Sequence, residues 1–316
     1  MSGPLVIATQ MTESFNAGLR KKVDATVIPA PEACPWAVAD EADIMLVRPT
    51  SAWTTHRDIA RPATWPGRLK WVNSGTTGID FYPSWLLDAP IVTCGRGVAS
   101  ASIADYVMAA IYLHAKDLEA VRVHEPQLWK TQPLGQLTGN TVGIIGFGTI
   151  GTAVARRALA AGMRVTAVRR RRLPGTVDGV DMLDRIENVI ASADHLVLAL
   201  PATDATRLAV DADMLAHARP HAHLINVGRG AVLDHDALVA ALDAGHLGFA
   251  TLDVTEPEPL PEGHALWTHP RVRLTPHVSA NHADAHTVLL EKVVANIARF
   301  SRGQTLIDIV DKSAGY

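Results

Sequence analysis

Cysteine is scarce in this chain. Its 316 residues include two, Cys34 and Cys94, too few for a disulfide framework, and the expectation is a reducing compartment, the cytoplasm. An excess of positive charge is absent too. Twenty-nine basic residues stand against 32 acidic ones, a formal net charge of −3. A nucleic-acid binder would carry a basic excess, so none is expected as partner. Long apolar runs free of glycine are also missing. The longest uncharged stretch, Thr131–Ala155, could span a bilayer by length, but it holds six glycines along with Gln, Thr and Asn, and no membrane helix is expected. The first residues, Met-Ser-Gly-Pro and then Leu5–Ala8, lack the basic and apolar regions of a signal peptide. No internal repeat and no low-complexity segment stands out. Apolar material is plentiful: 48% of residues are hydrophobic and 19% charged, enough for real cores. At roughly 100–200 residues per domain, the length suggests two domains.

Short runs rich in Val and Ile, each followed by Pro, Gly, Ser or Thr, predict strands at Leu5–Thr9, Val23–Ile28, Ile44–Arg48, Leu69–Asn73 and Ile91–Thr93. Segments between them, such as Met11–Arg20 and Ile79–Leu87, predict helices. This βαβ rhythm implies an α/β fold with doubly wound parallel sheets covered on both faces. Ala99–Lys116 predicts a well-buried helix, and His124–Gly139 a connection or surface excursion. A second βαβ series follows, with strands at Thr141–Gly146, Arg164–Val168, His195–Leu200, His223–Val227, Leu247–Leu252 and Val272–Thr275. Its helices are Thr149–Ala161, Leu183–Ala191, Asp211–His217 and Asp234–Ala244. The last helical stretch, Ala283–Arg302, places Val288, Leu289, Val293, Ile297 and Phe300 on one face. With the apolar run Leu306–Val310, it is expected to pack back on the first domain, making that domain discontinuous.

The sharpest local signal is Gly146-Phe-Gly148-Thr149-Ile150-Gly151, which follows an apolar strand and opens a helix. That context is the one a dinucleotide fingerprint requires. Gly146 permits the tight turn, Gly148 lets the backbone approach a pyrophosphate, and Gly151 lets helix and strand pack closely. An NAD-binding fold places an acidic residue about 20 positions further on, against the ribose hydroxyls. Here the end of the next strand carries Arg169-Arg170-Arg171-Arg172, and no acidic residue appears until Asp178. Guanidinium groups at Arg169 and Arg170 suit a 2′-phosphate, so NADP(H) is expected in preference to NAD(H). Arg171 and Arg172 read as a solvated basic turn.

Three later strands end in chemistry-bearing residues: Arg229 after Leu224–Gly228, carboxylates in Asp253–Glu258, and His277 after Leu274–Pro276. Ligands of open α/β sheets bind beyond the carboxyl ends of the strands. Singly, each residue is commonplace: a sheet-edge arginine, a loop glutamate, one of 14 histidines. Together on successive strand ends they point to one crevice.

The ordered set of GFGTIG, LPAT (Leu200–Thr203), INVGRG (Ile225–Gly230), LDVTEPEP (Leu252–Pro259) and TPHVSA (Thr275–Ala280) resembles the D-isomer-specific 2-hydroxyacid dehydrogenase family. Asn73–Asp80 is similar to the family's substrate-domain loop. Ile103–Val107 is similar to its Ala-Glu helix motif, with Asp105 in place of Glu. The resemblance implies a flavodoxin-like substrate domain, residues 1–97 plus 280–316, split around a Rossmann cofactor domain, residues 98–279. It implies hydride transfer between the nicotinamide and C2 of a 2-oxo or 2-hydroxy acid. Arg229 would hold the carboxylate and polarise the carbonyl, His277 would act as general acid, and Glu258 rather than Glu256 would orient the imidazole. By the same carry-over Thr149 and Ile150 lie against the pyrophosphate, and Leu200, Pro201 and Thr206 line the cofactor groove. Val227 and Gly228 back the nicotinamide, Asp253 faces its carboxamide, and Thr77 and Gly78 offer N–H groups to the substrate carboxylate. A homodimer built on the cofactor domains, through Ala99–Lys116 and His124–Gly139, is implied as well.

The run Glu258–His277 is similar to the glyoxylate/hydroxypyruvate reductase branch, which favours a small 2-oxo acid. Aryl or branched 2-hydroxy acids remain an alternative. So, from another class, does a nucleotide-sensing corepressor without turnover. No metal is expected: His217, His221 and His223 need not converge, since Pro220 interrupts them. His282 and His286 lack the carboxylate of an H-E-x-x-H pattern. One of that pair, or Arg96 between Gly95 and Gly97, could instead reach a substrate.

Overall fold

The computed structural model describes residues 4–55, 57–170 and 177–316. It divides into two compact units, one made of the chain up to Val98 together with His282–Tyr316, the other of Ala99–Asn281. No helix among the described residues is long and apolar enough to cross a membrane.

The first unit is built on β1 (Leu5–Thr9), α1 (Glu13–Lys22), β2 (Ala25–Pro29), β3 (Ile44–Val47), α2 (Ser51–Thr55), β4 (Trp71–Ser74) and β5 (Ile91–Thr93). Its five strands are parallel in the order β2-β1-β3-β4-β5, the flavodoxin-like order. Successive side chains of a strand point to opposite faces, and both faces here are covered. Met45 and Val47 of β3 join one core with Trp53, Trp65 and Trp85. Ile44 and Leu46 join the other, with Phe15 and Leu19 of α1. Local chemistry sets the ends of α1: the Thr12 hydroxyl caps the Phe15 N–H, Glu13 lies in the first turn, and Arg20, Lys21 and Lys22 lie in the last.

The closing helix Ala285–Ser301 belongs to this unit and buries Leu289, Val293 and Ile297, four residues apart, on that second core. Val288, expected on the same face, is exposed. In the run Leu306–Val310, Leu306 joins that second core, Val310 joins the first, and Ile309 makes an antiparallel bridge to Thr93. Ile79–Leu87 does not form the expected α-helix. Pro83 has no N–H to extend one, and only a 3₁₀ turn, Ser84–Asp88, forms.

The second unit opens with α3 (Ser100–Lys116). There follow β6 (Thr141–Ile145), α4 (Thr149–Ala160), β7 (Arg164–Val168), β8 (Val180–Met182), α5 (Ile186–Ser192) and β9 (His195–Leu198). The series ends with α6 (Ala212–Leu215), β10 (His223–Asn226), α7 (His235–Asp243), β11 (Phe249–Leu252) and β12 (Val272–Leu274). Seven parallel strands run in the order β12-β11-β10-β9-β6-β7-β8. Strand order reverses at β6 and β9, which opens a crevice at their carboxyl ends. β8 has no counterpart in the sequence reading. It is three residues long with none fully buried, so it lacks the apolar run that marks the others.

At the opposite end of this sheet, in register, His195 and His223 begin β9 and β10 and Phe249 begins β11. The His195 and His223 rings are 5.7 Å apart, and His114 of α3 lies 4.4 Å from His223. Burial pushes His195 down from 6.5 to about 4, and His223 well below its ordinary value. The unfolded chain therefore takes up these protons first, and stability falls as pH drops below 6.5. For His195 the loss by pH 4 is on the order of 3 kcal/mol. We expect the thermal midpoint of His195→Phe to fall less between pH 6.5 and 4 than that of the natural protein. Equal slopes would refute the assignment.

Candidate active site

Gly146 follows β6 with φ of +102°, and a Cβ there would sit 2.6 Å from the carbonyl oxygen of Ala199, just past β9. The turn therefore demands glycine for both backbone angle and space. A Cβ on Gly151 would meet the Gly146 carbonyl at 2.5 Å, whereas one on Gly148 would meet no atom within 4 Å. The loop is thus tight below and open above, at the start of α4. The first N–H groups of a helix have no intrahelical partner and favour an anion, so Thr149 and Ile150 fit a pyrophosphate.

The Gly146 N–H donates to the Val168 carbonyl at 3.1 Å. That contact brings Arg169, half-buried, and Arg170, exposed, beside the glycine loop. Arg171 and Arg172 lie outside the described residues. Across the crevice the Thr206 hydroxyl donates to the Pro201 carbonyl at 2.6 Å and fixes the loop after β9. A Cβ on Gly228 would lie 2.6 Å from the Leu200 carbonyl oxygen, so Leu200, Pro201, Thr206, Val227 and Gly228 form one wall.

Strand register aligns Asn226, Leu252 and Leu274 at the ends of β10, β11 and β12. Arg229, Asp253 and His277 therefore emerge at one edge. Asn226, fully buried, accepts from the Gly228 N–H at 3.1 Å and donates to the Arg229 carbonyl at 3.0 Å, which pins the turn that carries Arg229. The loop with Glu258 is braced by backbone contact with Gly230, by the Thr255 hydroxyl on the Pro257 carbonyl at 2.9 Å, and by the buried His235 ring on the Glu256 carbonyl.

His277 Nδ1 lies 2.9 Å from Glu258 Oε2, and Glu258 Oε1 accepts the Thr255 N–H at 3.1 Å. The Glu258 contact holds His277 above its ordinary pKa, against burial and the Arg229 charge. Burial would raise Glu258, but the His277 hydrogen bond and charge, the Thr255 N–H and the Arg229 charge hold it below the usual carboxylate range. An ionised Glu258 accepts from Nδ1, so Nε2 is the ring nitrogen left to exchange a proton with a ligand. His277 has φ of +51°, an uncommon conformation for a side chain of this size.

Asp253, expected to face a carboxamide, is only 1% exposed. Its carboxylate takes three protein donors: the Thr275 hydroxyl at 2.6 Å and the Val278 and Ser279 N–H groups at 2.9 Å each. In α3, Asp105 pairs with Arg157 of α4 at 2.7 Å. Two of the histidines weighed for metal take separate partners. His221 meets Asp194 at 2.9 Å, and His223 meets the Thr251 hydroxyl at 2.8 Å.

In the first unit Thr77 is exposed and Gly78 half-buried. Their loop rests on the segment after β5, where Gly95 donates to the Thr76 carbonyl at 2.9 Å and the Thr77 hydroxyl donates to the Gly95 carbonyl at 3.3 Å. The Arg96 carbonyl accepts from Lys292, which also pairs with Asp308.

Asn226, Thr275 and His235 also support the site, although none of them is a motif-defining residue of the sequence. Asn226 and Thr275 stand inside the quoted motifs, and their polar side chains at strand ends are the signal that could have found them.

A doubly wound sheet with a glycine loop at its switch point, and an imidazole–carboxylate pair with an arginine at the same edge, defines a nicotinamide-dependent oxidoreductase. Comparison with known proteins agrees. Residues 107–279 match the description "D-isomer specific 2-hydroxyacid dehydrogenase, NAD binding domain". The chain is similar to glyoxylate/hydroxypyruvate reductase A of Serratia proteamaculans, with 31% identity over 96% of each chain. Among solved structures it is similar to an NADPH-dependent glyoxylate/hydroxypyruvate reductase of Sinorhizobium meliloti in complex with NADP and sulfate, at TM-score 0.78, 28% identity and 100% of both chains. It is also similar to a D-isomer specific 2-hydroxyacid dehydrogenase of Xanthobacter autotrophicus in complex with NADPH and MES, at TM-score 0.80 and 27% identity, over 99% of this chain and 100% of the other. The chain belongs to the D-isomer specific 2-hydroxyacid dehydrogenase family.

Proposed function

We propose that this protein reduces a small 2-oxo acid, glyoxylate or hydroxypyruvate, to the corresponding D-2-hydroxy acid with NADPH. The observation that carries this reading is the His277–Glu258 contact at 2.9 Å, at the sheet edge that also holds Arg229. Similarity to the two glyoxylate/hydroxypyruvate reductases supports the substrate class. The bound reduced nicotinamide supplies the hydride. Arg229 binds the substrate carboxylate through paired donors and polarises the carbonyl. His277, kept protonated by Glu258, gives its Nε2 proton to the developing alkoxide. In the reverse direction the neutral ring takes that proton.

The second unit serves as the dinucleotide-binding domain. Gly146, Gly148, Thr149, Ile150 and Gly151 hold the pyrophosphate, and the wall from Leu200 to Gly228 lies along the nucleotide. Asp253 contributes there only what its three donors leave. The first unit serves as the substrate domain, with Thr77 and Gly78 offering N–H groups to the carboxylate. A panel of 2-oxo acids assayed by nicotinamide absorbance with NADPH and NADH tests the proposal. Turnover of glyoxylate and hydroxypyruvate is the expected result. Cofactor binding without turnover of any acid would overturn it.

Arg169 and Arg170 are proposed to hold the 2′-phosphate. Arg169→Asp combined with Arg170→Ala is expected to move the kcat/KM ratio toward NADH by roughly tenfold or more, as for the loss of charge-assisted hydrogen bonds. An unchanged ratio would remove the assignment.

We also propose a cytoplasmic homodimer. Both cysteines are free thiols, in keeping with a reducing compartment. Large apolar side chains lie exposed from the end of α3 through the excursion, among them Tyr112, Leu113, Leu128 and Trp129, the last 79% exposed. Such a patch suits a second copy of the chain. Sedimentation of Trp129→Glu should show a dissociated species where the natural protein sediments as a dimer. A monomeric natural protein would contradict the proposal.

A further inference from the structure

We propose that Tyr106 and Thr275 are positioning residues for His277, acting through the buried carboxylate of Asp253. The inference rests on the reading of His277 as the proton donor, and it extends to residues with no role in that reading. His277 sits in a turn with a left-handed backbone, φ +51°. Such a conformation persists only where its surroundings over-determine it. Asp253 is the group that does so. Its backbone carbonyl accepts the His277 N–H at 2.9 Å. Its Oδ1 accepts the Thr275 hydroxyl at 2.6 Å and the Val278 N–H at 2.9 Å, and its Oδ2 accepts the Ser279 N–H at 2.9 Å. One residue just past β11 thus holds the turn on both sides of His277.

The carboxylate can only accept, so Thr275 donates to it and its oxygen is left as acceptor. Tyr106 of α3 fills that place, with its hydroxyl 2.6 Å from Thr275 Oγ1. Burial pushes the Tyr106 phenol above its ordinary pKa, so it stays a neutral donor across the working range. The chain of donors then has one direction, from Tyr106 to Thr275 to Asp253. A second clasp from the same helix, the Ser102 hydroxyl on the Ser279 carbonyl at 2.8 Å, closes the far end of the turn. A directed chain of this kind, ending on a buried carboxylate, fixes one orientation, and a displacement of about 1 Å at a reacting group can cost roughly a hundredfold. The Tyr106 and Thr275 hydroxyls meet their partners within the protein, and the proposal assigns neither a proton to transfer.

The test compares Thr275→Val, Thr275→Ser and Tyr106→Phe with His277→Ala, all assayed with glyoxylate and NADPH from acid to alkaline pH. NADPH affinity is read separately by nicotinamide fluorescence. Thr275→Val is expected to lose about tenfold or more in kcat, to shift the pKa limiting reduction downward as the His277–Glu258 contact loosens, and to bind NADPH nearly as before. Thr275→Ser, which keeps the hydroxyl, is expected to restore most of the rate. Tyr106→Phe is expected to fall between them. A Thr275→Val enzyme with unchanged kcat and pH profile overturns the inference, and so does a loss that Thr275→Ser shares. His277→Ala keeps the two failures apart: if it retains full turnover the reading of His277 fails, and if only it loses turnover the positioning chain alone fails.

Discussion

Turnover of the His277→Ala enzyme is expected to fall by roughly 10²–10⁴-fold, the usual contribution of a positioned general acid, with NADPH binding nearly unchanged. The ring lies at the sheet edge, its Nδ1 engaged by Glu258 at 2.9 Å, and only its Nε2 can serve a substrate. Removing it deletes the proton donor without touching the glycine loop. The companion variant is Glu258→Gln. In the natural protein the carboxylate holds His277 above 6.5, so reduction persists as pH rises and fails only once the ring loses its proton. The amide carries no charge, so the His277 pKa falls and the alkaline limb of reduction moves to lower pH. Oxidation, which needs the neutral ring, should gain at lower pH by the same amount. Steady-state rates in both directions across pH check this. Full turnover in His277→Ala, or an unmoved profile in Glu258→Gln, would contradict the assignment.

The second large effect is expected from one added methyl group. A Cβ on Gly230 would lie 2.0 Å from the Thr255 carbonyl carbon and 2.5 Å from the Glu256 nitrogen. These are backbone atoms, which cannot swing aside as a flexible side chain can. In Gly230→Ala either the turn after Arg229 or the loop that carries Glu258 must move. The His235 ring meets the Glu256 carbonyl in that loop, and Thr255 contacts Pro257 and Glu258, so a backbone shift there carries to the carboxylate. Overpacking of this kind costs about 1–3 kcal/mol of stability. A displacement of about 1 Å at the site is expected to lower kcat by roughly a hundredfold. The measurement is kcat alongside the thermal midpoint. A Gly230→Ala enzyme with natural kcat would mean that the loop tolerates the shift, and that the Glu258–His277 distance does not limit the reaction.

The series of strands and helices was largely legible in the sequence because both sheets are parallel and covered on two faces. Strands of that kind read as short apolar runs between turn residues, as at Ile44–Val47 and His223–Asn226. The glycine loop was legible because the angle at Gly146 and its contact with Ala199 leave no other residue possible. Ile79–Leu87 misled because its apolar spacing suits a helix while Pro83 forbids one. Strand β8 escaped because none of its three residues is fully buried, so its pairing with β7 supplies what its sequence does not.

What the sequence determined by itself was therefore the identity and order of the reactive groups: a glycine loop, then an arginine, a glutamate and a histidine, each just past the end of a strand. Only the tertiary structure decided what each of them touches. The contact of Glu258 with His277, the donor chain from Tyr106 through Thr275 to Asp253, and the packing of the His114 ring with the buried rings of His195 and His223 join residues far apart in the chain. Periodicity and spacing report only what a residue's neighbours in the chain allow. Distances between strand ends are set by sheet register and helix packing, which come into being when the whole unit folds.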